Sequence, residues 1–341
     1  MMIHAQKLLW ILVFSSLELS HSFLHLPLSR HDASLQVPAA VLGSIRCQAI
    51  DDGQHAVRNV HAIIPTEAGY LLVDPNGRQV VEVDSSLAAV RSFGKDTFVM
   101  PFAAARHGNR VYVSDFKGVM WVFAKEGDLI KEIKLQERPK LSRFAIKDDR
   151  LYYTTPSPTG AIQTLDLEGT PLAEWGGSTG DLRAIGHLFA YREEIIRVGI
   201  IDPVIERYTS SGTLLETYDL ASNIPFVRQT ADLVKRRYET EGRNYQQSTI
   251  PVIKDAYLLD DKLYLLVREV NENRDALNPL NCRKLVILHL GATEITLGAI
   301  FDLAPEGSSK IFSAICVADQ GRTLLAFSFD SDDSELCVFS F

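Results

Sequence analysis

The chain has 341 residues, 46% of them hydrophobic, and a formal charge of −8 from 35 basic and 43 acidic side chains. That length fits two ordinary domains or one large repeat domain with a sizeable core, and the acidic balance argues against a general nucleic-acid binder, which as a rule is basic. Four cysteines (Cys47, Cys282, Cys316 and Cys337) stand far apart with no Cys-x-x-Cys pair, which speaks against a zinc knuckle or a thioredoxin-like motif.

The first stretch, MMIHAQKLLWILVFSSLELSHSF, carries one lysine, an apolar run from Leu8 to Phe14, and then small polar residues. Ser20 and Ser22 have the spacing of a signal-peptidase site. Residues 1–22 are therefore read as an export signal and residues 23–43 as an N-terminal extension, with the mature chain periplasmic or extracellular. The apolar run is shorter than the roughly 20 residues that span a bilayer. No later stretch exceeds that length, so no transmembrane segment is expected.

From residue 44 onward the chain repeats itself. GYLLVDPNGRQVVEVDSSLAAVRSF from Gly69 is matched by NRVYVSDFKGVMWVFAKEGDLIKEI from Asn109 and DRLYYTTPSPTGAIQTLDLEGTPLAEW from Asp149. EEIIRVGIIDPVIERYTSSGTLLETY from Glu193 follows, then an interrupted unit from Asp261 and a last one from Gly321. A further apolar run precedes each: VHAIIP, TFVMPF, FAI, LFAY, AYLL and IFSAICV. Val, Ile, Tyr and Phe crowd the runs as strands require, and breaks such as DPNG, KEGD and LEGT hold turn residues. Gly127, Gly169 and Gly212 recur at spacings of 42 and 43. A four-stranded unit at this period predicts a β-propeller blade. The last unit supplies three strands and SIRCQAI, residues 44–50, is a strand without a unit. Pairing the two closes a ring without free sheet edges. The predicted fold is an all-β, six-bladed β-propeller over residues 44–341, its N-terminal strand completing the last blade.

In VYVSDFKGVMWVFAKEGDLIKEI, with Asp115 after its second strand, the chain resembles the NHL-repeat type of six-bladed propeller. The resemblance implies architecture over residues 44–341 and no particular activity. Thr155 and Arg268 stand near the aspartate's place in other units.

Two insertions break the repeat. Residues 221–250 join blades 4 and 5 and contain PFVRQTADLVKRRYETEGRNYQQ, where Phe226, Thr230, Val234 and Tyr238 recur every four residues. That spacing predicts a short amphipathic helix after Pro225, a lid or docking element. The second, EVNENRDALNPLNC (residues 269–282), joins the second and third strands of blade 5. Both kinds of connection emerge where each innermost strand begins, so both crowd one mouth of the channel, where a rigid scaffold presents binding loops.

The same mouth collects cations. Arg58, Lys95, Arg143, Arg183, Lys254 and Lys310 stand just before the first strands of successive blades, with His61, Asp115 and Arg268 on the same face. A ring of cations round a low-dielectric channel focuses field on an anion. The expected function is a non-enzymatic propeller that binds a small molecule or protein, anionic by this logic, with no cofactor and no nucleic acid. The alternative is a lactonase-like hydrolase or lyase with calcium held by oxygens drawn from Asp74, Asn76, Asp115, Asp202, Asp255 and Asp330, with His61 nearby. His107, His187 and His289 show no paired metal spacing and read as surface or packed histidines. GGSTG around Ser178 fits a nucleophile-elbow pattern, but no helix follows it as that chemistry needs, so it reads as a turn. Cys47 and Cys337 lie in the two strands paired to close the ring; an exported protein permits a disulfide there, and buried free thiols are the other state.

Overall fold

The computed structural model describes residues 40–42, 44–50, 57–136, 142–177, 180–240, 250–270, 280–304, 310–329 and 334–341. The expected export signal, most of the extension, Ser178 and Asp330 lie outside them. The described strands form six sheets, one per blade, each with four antiparallel strands; four sheets run in sequence order, and the N-terminal segments add one strand each to blades 5 and 6. The innermost strands are Ala62–Pro65, Pro101–His107, Ala145–Lys147, Gly186–Tyr191, Ile253–Leu259 and Ile311–Ala318. In blade 2 the first strand overlaps only the last two residues of the expected TFVMPF run and continues beyond it. Its alanines at 103–105 carry no strong strand signal, yet all three pair with the second strand.

Ring closure follows the expected pairing. Ser44–Ala49 lies antiparallel to Ser334–Ser340, with Cys47 directly opposite Cys337. The two cysteines form a disulfide, their Cα atoms 4.0 Å apart, while Cys282 and Cys316 are free and buried. The thiol reading therefore fails for the closing pair, because the register places the two side chains face to face. Ala40–Val41 also adds in parallel to the outer strand of blade 5, which the repeat pattern does not announce.

The core is six layers between blades. Val111 and Val113 of blade 2 pack with Val73 and Val80 of blade 1, whereas Tyr112 between them packs with Leu151 and Tyr153 of blade 3. Alternate side chains of one strand thus serve opposite neighbours. Both faces are buried, so these strands read as continuous apolar runs rather than as a polar alternation.

The recurrent glycines hold the layers together from the rim. Gly127, Gly169 and Gly212 all adopt φ +95° in the turn between third and fourth strands, a conformation costly for residues with a Cβ. A Cβ at Gly169 or Gly212 would meet Ile133 or Trp175 of the preceding blade at 2.7 and 2.5 Å. Leu87 fills the equivalent turn of blade 1 at φ 69°.

The insertion after blade 4 forms two helices, α1 (Leu220–Asn223) and α2 (Pro225–Thr240). Val227, Thr230, Val234 and Tyr238 of α2 are fully buried, with Phe226 only partly so. The inward stripe therefore begins one residue later than the four-residue spacing suggests. Tyr238 Oη accepts the Ile250 N–H at 2.9 Å, and Thr230 Oγ1 donates to the carbonyl of Arg268 at 3.1 Å. The helix is a packed wall of the blade 4–blade 5 layer, and a freely swinging lid would uncover that core.

Candidate functional site

Irregular pairing shapes the mouth. Registers shift between Pro101 and Ala103, between Ile253 and Asp255, and between Phe312 and Ala314, each near the start of an innermost strand. Such bulges leave one residue unpaired and re-aim its side chain. Here the residues are Phe102, Lys254 and Ser313. Phe102 and Lys254 line a cavity of about 20 Å³ together with His61, Ser142, Arg143 and His187, so five of the six blades contribute.

The floor of this cavity is an ion pair. Arg143 of blade 3 donates from Nε to Asp255 Oδ1 and from Nη2 to Asp255 Oδ2 of blade 5, both at 2.8 Å. Nη2 also reaches the Ile315 carbonyl of blade 6 at 3.1 Å, and Asp255 Oδ2 accepts the Ile315 N–H at 2.8 Å. Burial opposes the Arg143 cation, and the charge and hydrogen bonds of Asp255 more than restore it. A second cavity of about 270 Å³, lined by Pro65, Arg106, Phe189 and Tyr257, also includes Arg143. Arg143 thus borders both cavities.

Two histidines stand above it. His187 Nδ1 accepts the Arg143 backbone N–H at 3.1 Å, and its Nε2 is buried with no hydrogen-bond partner among the described residues. His61 stacks on Phe102 at 6.0 Å between ring centroids. Its Nε2 lies 3.4 Å from the Asn59 side-chain amide. Burial holds His187 down to about 4, a little offset by Asp255, and burial with the nearby Lys254 charge holds His61 down to about 3. Both rings are neutral at pH 7.

Two further cations complete the site. Burial, then repulsion from Arg268, lowers the affinity of Lys254 for its proton. Burial likewise works against the Arg268 cation, whose Nε has no hydrogen-bond partner. Neither side chain has a carboxylate partner among the described residues. The other buried arginines are paired: Arg197 with Glu206, and Arg207 with both Glu194 and Glu216. The thiol of Cys282, pushed up to about 12 by burial, offers no counter-charge.

Of the sequence candidates, the fold gathers His61, Arg143 and Lys254 around one cavity, with Arg268 acting on Lys254. It does not gather the others. Arg58 and Lys95 are exposed, Arg183 is bound to Asp181 at 2.7 Å, and Lys310 pairs with Glu335 at 2.8 Å beside the disulfide. Asp115 is fully buried and accepts the N–H groups of Val99, Met100 and Lys117, stapling the two loops of its blade. Asp74 does the same with the N–H groups of Arg58 and Gly77, and Asp255 is committed to Arg143. These carboxylates, candidate calcium ligands by type, are employed in the fold. His107 meets Asp149 on the surface. Sequence reasoning missed the parts played by His187, Asp255, Phe102 and Ser142. The only available signal was polar residues at the head of apolar innermost strands.

No protein-family model matches the chain, and no curated protein does. Among solved structures the chain is similar to hydrazine synthase of Kuenenia stuttgartiensis, at 14% identity and TM-score 0.51 over 85% of this chain and 99% of that one. It is also similar to U3-55K, at 9% identity and TM-score 0.53 over 86% and 98% of the two chains. A chain of the mitotic checkpoint complex matches at 10% identity and TM-score 0.53, covering 95% of this chain and 99% of that one. Identities this low carry the propeller fold and nothing of function.

Proposed function

We propose that this protein is a non-enzymatic recognition propeller whose mouth binds an anionic group borne by a ligand or a partner protein. The observation that carries this reading is the charge imbalance at the mouth: Lys254 and Arg268 lack counter-charges among the described residues, in a fold that pairs its other interior arginines. Burying a cation without a partner costs several kcal/mol, and an incoming anion recovers that cost. The flanking helix α2 extends the field, with Arg228, Lys235, Arg236 and Arg237 against Asp232 and Glu239. In a chain of net charge −8, this local excess steers an acidic partner to one face.

Export belongs to the same proposal, because the Cys47–Cys337 disulfide suits an oxidising compartment. No helix among the described residues is long and apolar enough to cross a membrane. The likeness to the NHL-repeat type rests on the second blade, where Asp115 staples its loops.

The test is a screen of organic anions and acidic peptides by thermal shift, repeated with Lys254→Glu and Arg268→Glu. Ligands that stabilise the parent protein and fail with both reversals support the reading. Equal responses from all three proteins, or stabilisation confined to cationic or neutral compounds, would sink it.

A further inference from the structure

The polar side chains around the 20 Å³ cavity are unusual in kind. Because His187 Nδ1 accepts the Arg143 N–H, a neutral His187 carries its hydrogen on Nε2. That buried N–H is a donor without an acceptor among the described residues. Lys254, the bulge residue of its strand, is a donor only. Among the described residues the nearby carboxylate is already engaged: Asp255 accepts two bonds from Arg143 and one from Ile315. Ser142 Oγ is engaged with Thr154 Oγ1 at 3.2 Å. Once Arg143 and Asp255 cancel, the charges of Lys254 and Arg268 remain.

We propose that this cavity is a site for one small monovalent anion, a chloride ion or a single carboxylate group, received by the His187 Nε2–H and the Lys254 ammonium with Arg268 behind it. The inference rests on the mouth-recognition reading and specifies the innermost group of its ligand. Volume sets the class. About 20 Å³ is near the size of one water, which suits a monatomic or planar anion better than a tetrahedral oxyanion such as phosphate. Charge decides between an anion and water. A water satisfies the His187 donor but leaves both cations uncompensated, whereas an anion serves donor and cations together. The wall of Phe102, Ile200, Pro251 and Ile253 keeps bulk water from screening the contact.

The experiment is thermal unfolding of the full chain during titration with sodium chloride, sodium formate or sodium phosphate, at ionic strength held constant with sodium methanesulfonate, a tetrahedral anion without a carboxylate. Binding to the folded state alone gives a rise in Tm that follows the logarithm of one plus ligand over Kd. The expected result is such a rise with chloride or formate, no rise with phosphate, and loss of the response in Lys254→Met. His187→Phe, which removes the donor and leaves Lys254 in place, weakens the response at least tenfold in apparent Kd. A response to chloride alone assigns a halide; a response to formate alone assigns the carboxylate of a larger ligand. The inference is overturned if neither anion acts, if phosphate acts as well as they do, or if Lys254→Met responds like the parent. Bromide diffraction on crystals of the protein gives a structural readout, with the anomalous peak expected within hydrogen-bond distance of His187 Nε2. If acidic ligands bind through Lys254 and Arg268 while chloride and formate do nothing, this inference fails and mouth recognition stands. If the charge reversals leave ligand binding intact while the anion titration behaves as expected, the opposite holds.

Discussion

Replacing Asp255 by asparagine keeps the side-chain shape and removes the carboxylate that pairs with Arg143. Asp255 is 1% exposed and holds the guanidinium through two bonds of 2.8 Å. With charge centres roughly 4 Å apart and an effective dielectric of about 20, the attraction is about 4 kcal/mol. Breaking a buried pair from one side typically costs about 3–5 kcal/mol, because the other charge is left uncompensated. Asp255→Asn should therefore lose about 3–5 kcal/mol in urea unfolding at pH 7, a large share of the roughly 5–15 kcal/mol that stabilises a typical fold. Removing both charges is different, since a pair exchanged for packed apolar residues is often neutral or better. Arg143→Met with Asp255→Leu should recover most of the loss, short of the Ile315 backbone contacts both residues make. A loss below about 1 kcal/mol in Asp255→Asn, or a double variant no more stable than the single one, would refute the account of the channel floor.

Three other outcomes are expected. The Cys47–Cys337 bridge closes a sequence separation of 290 residues, so Cys47→Ser with Cys337→Ser should lower stability by roughly 2–5 kcal/mol under oxidising conditions; thiol titration of the denatured, unreduced protein should find two thiols, and four would disprove the bridge. His187 takes up its proton near 6.5 when unfolded but only at about 4 when folded. The unfolded state thus binds more protons between those values, and stability falls as pH drops from 6.5 towards 4, by about 3 kcal/mol for this residue. Urea midpoints across that window should fall less steeply in His187→Gln, with His61 and hydrogen-bonded carboxylates such as Asp84 and Glu174 supplying remaining slope, and parallel curves would contradict the assignment. Gly212→Ala, whose Cβ would lie 2.5 Å from Trp175 at φ +95°, should cost about 2–3 kcal/mol. Gly108→Ala, at φ +56° with open space around it, should cost about 1 kcal/mol; equal losses would mean that blade contact does not govern the turn.

The amino-acid sequence alone determined the propeller. Strand runs repeat at the spacing of Gly127, Gly169 and Gly212, and each of these glycines adopts φ +95° in a turn that abuts a side chain of the preceding blade. The pairing of residues 44–50 with the last unit was legible for a similar reason, since a sheet of three strands with a spare strand elsewhere has one economical solution. Local patterns carry such information because strand alternation and turn chemistry act over a few residues. The site was only half legible. Charge placement pointed to the correct mouth, but it could not separate Arg143 and Lys254, which enter the channel, from Lys95, which stays on the surface, or Arg183, which folds back on Asp181. Tertiary structure decided that. Arg143 and Asp255 are 112 residues apart in the chain, and His187 and Lys254 meet only because bulges and registers in separate blades converge on one axis. Side-chain direction at such a centre depends on the whole ring being closed, which no short segment encodes.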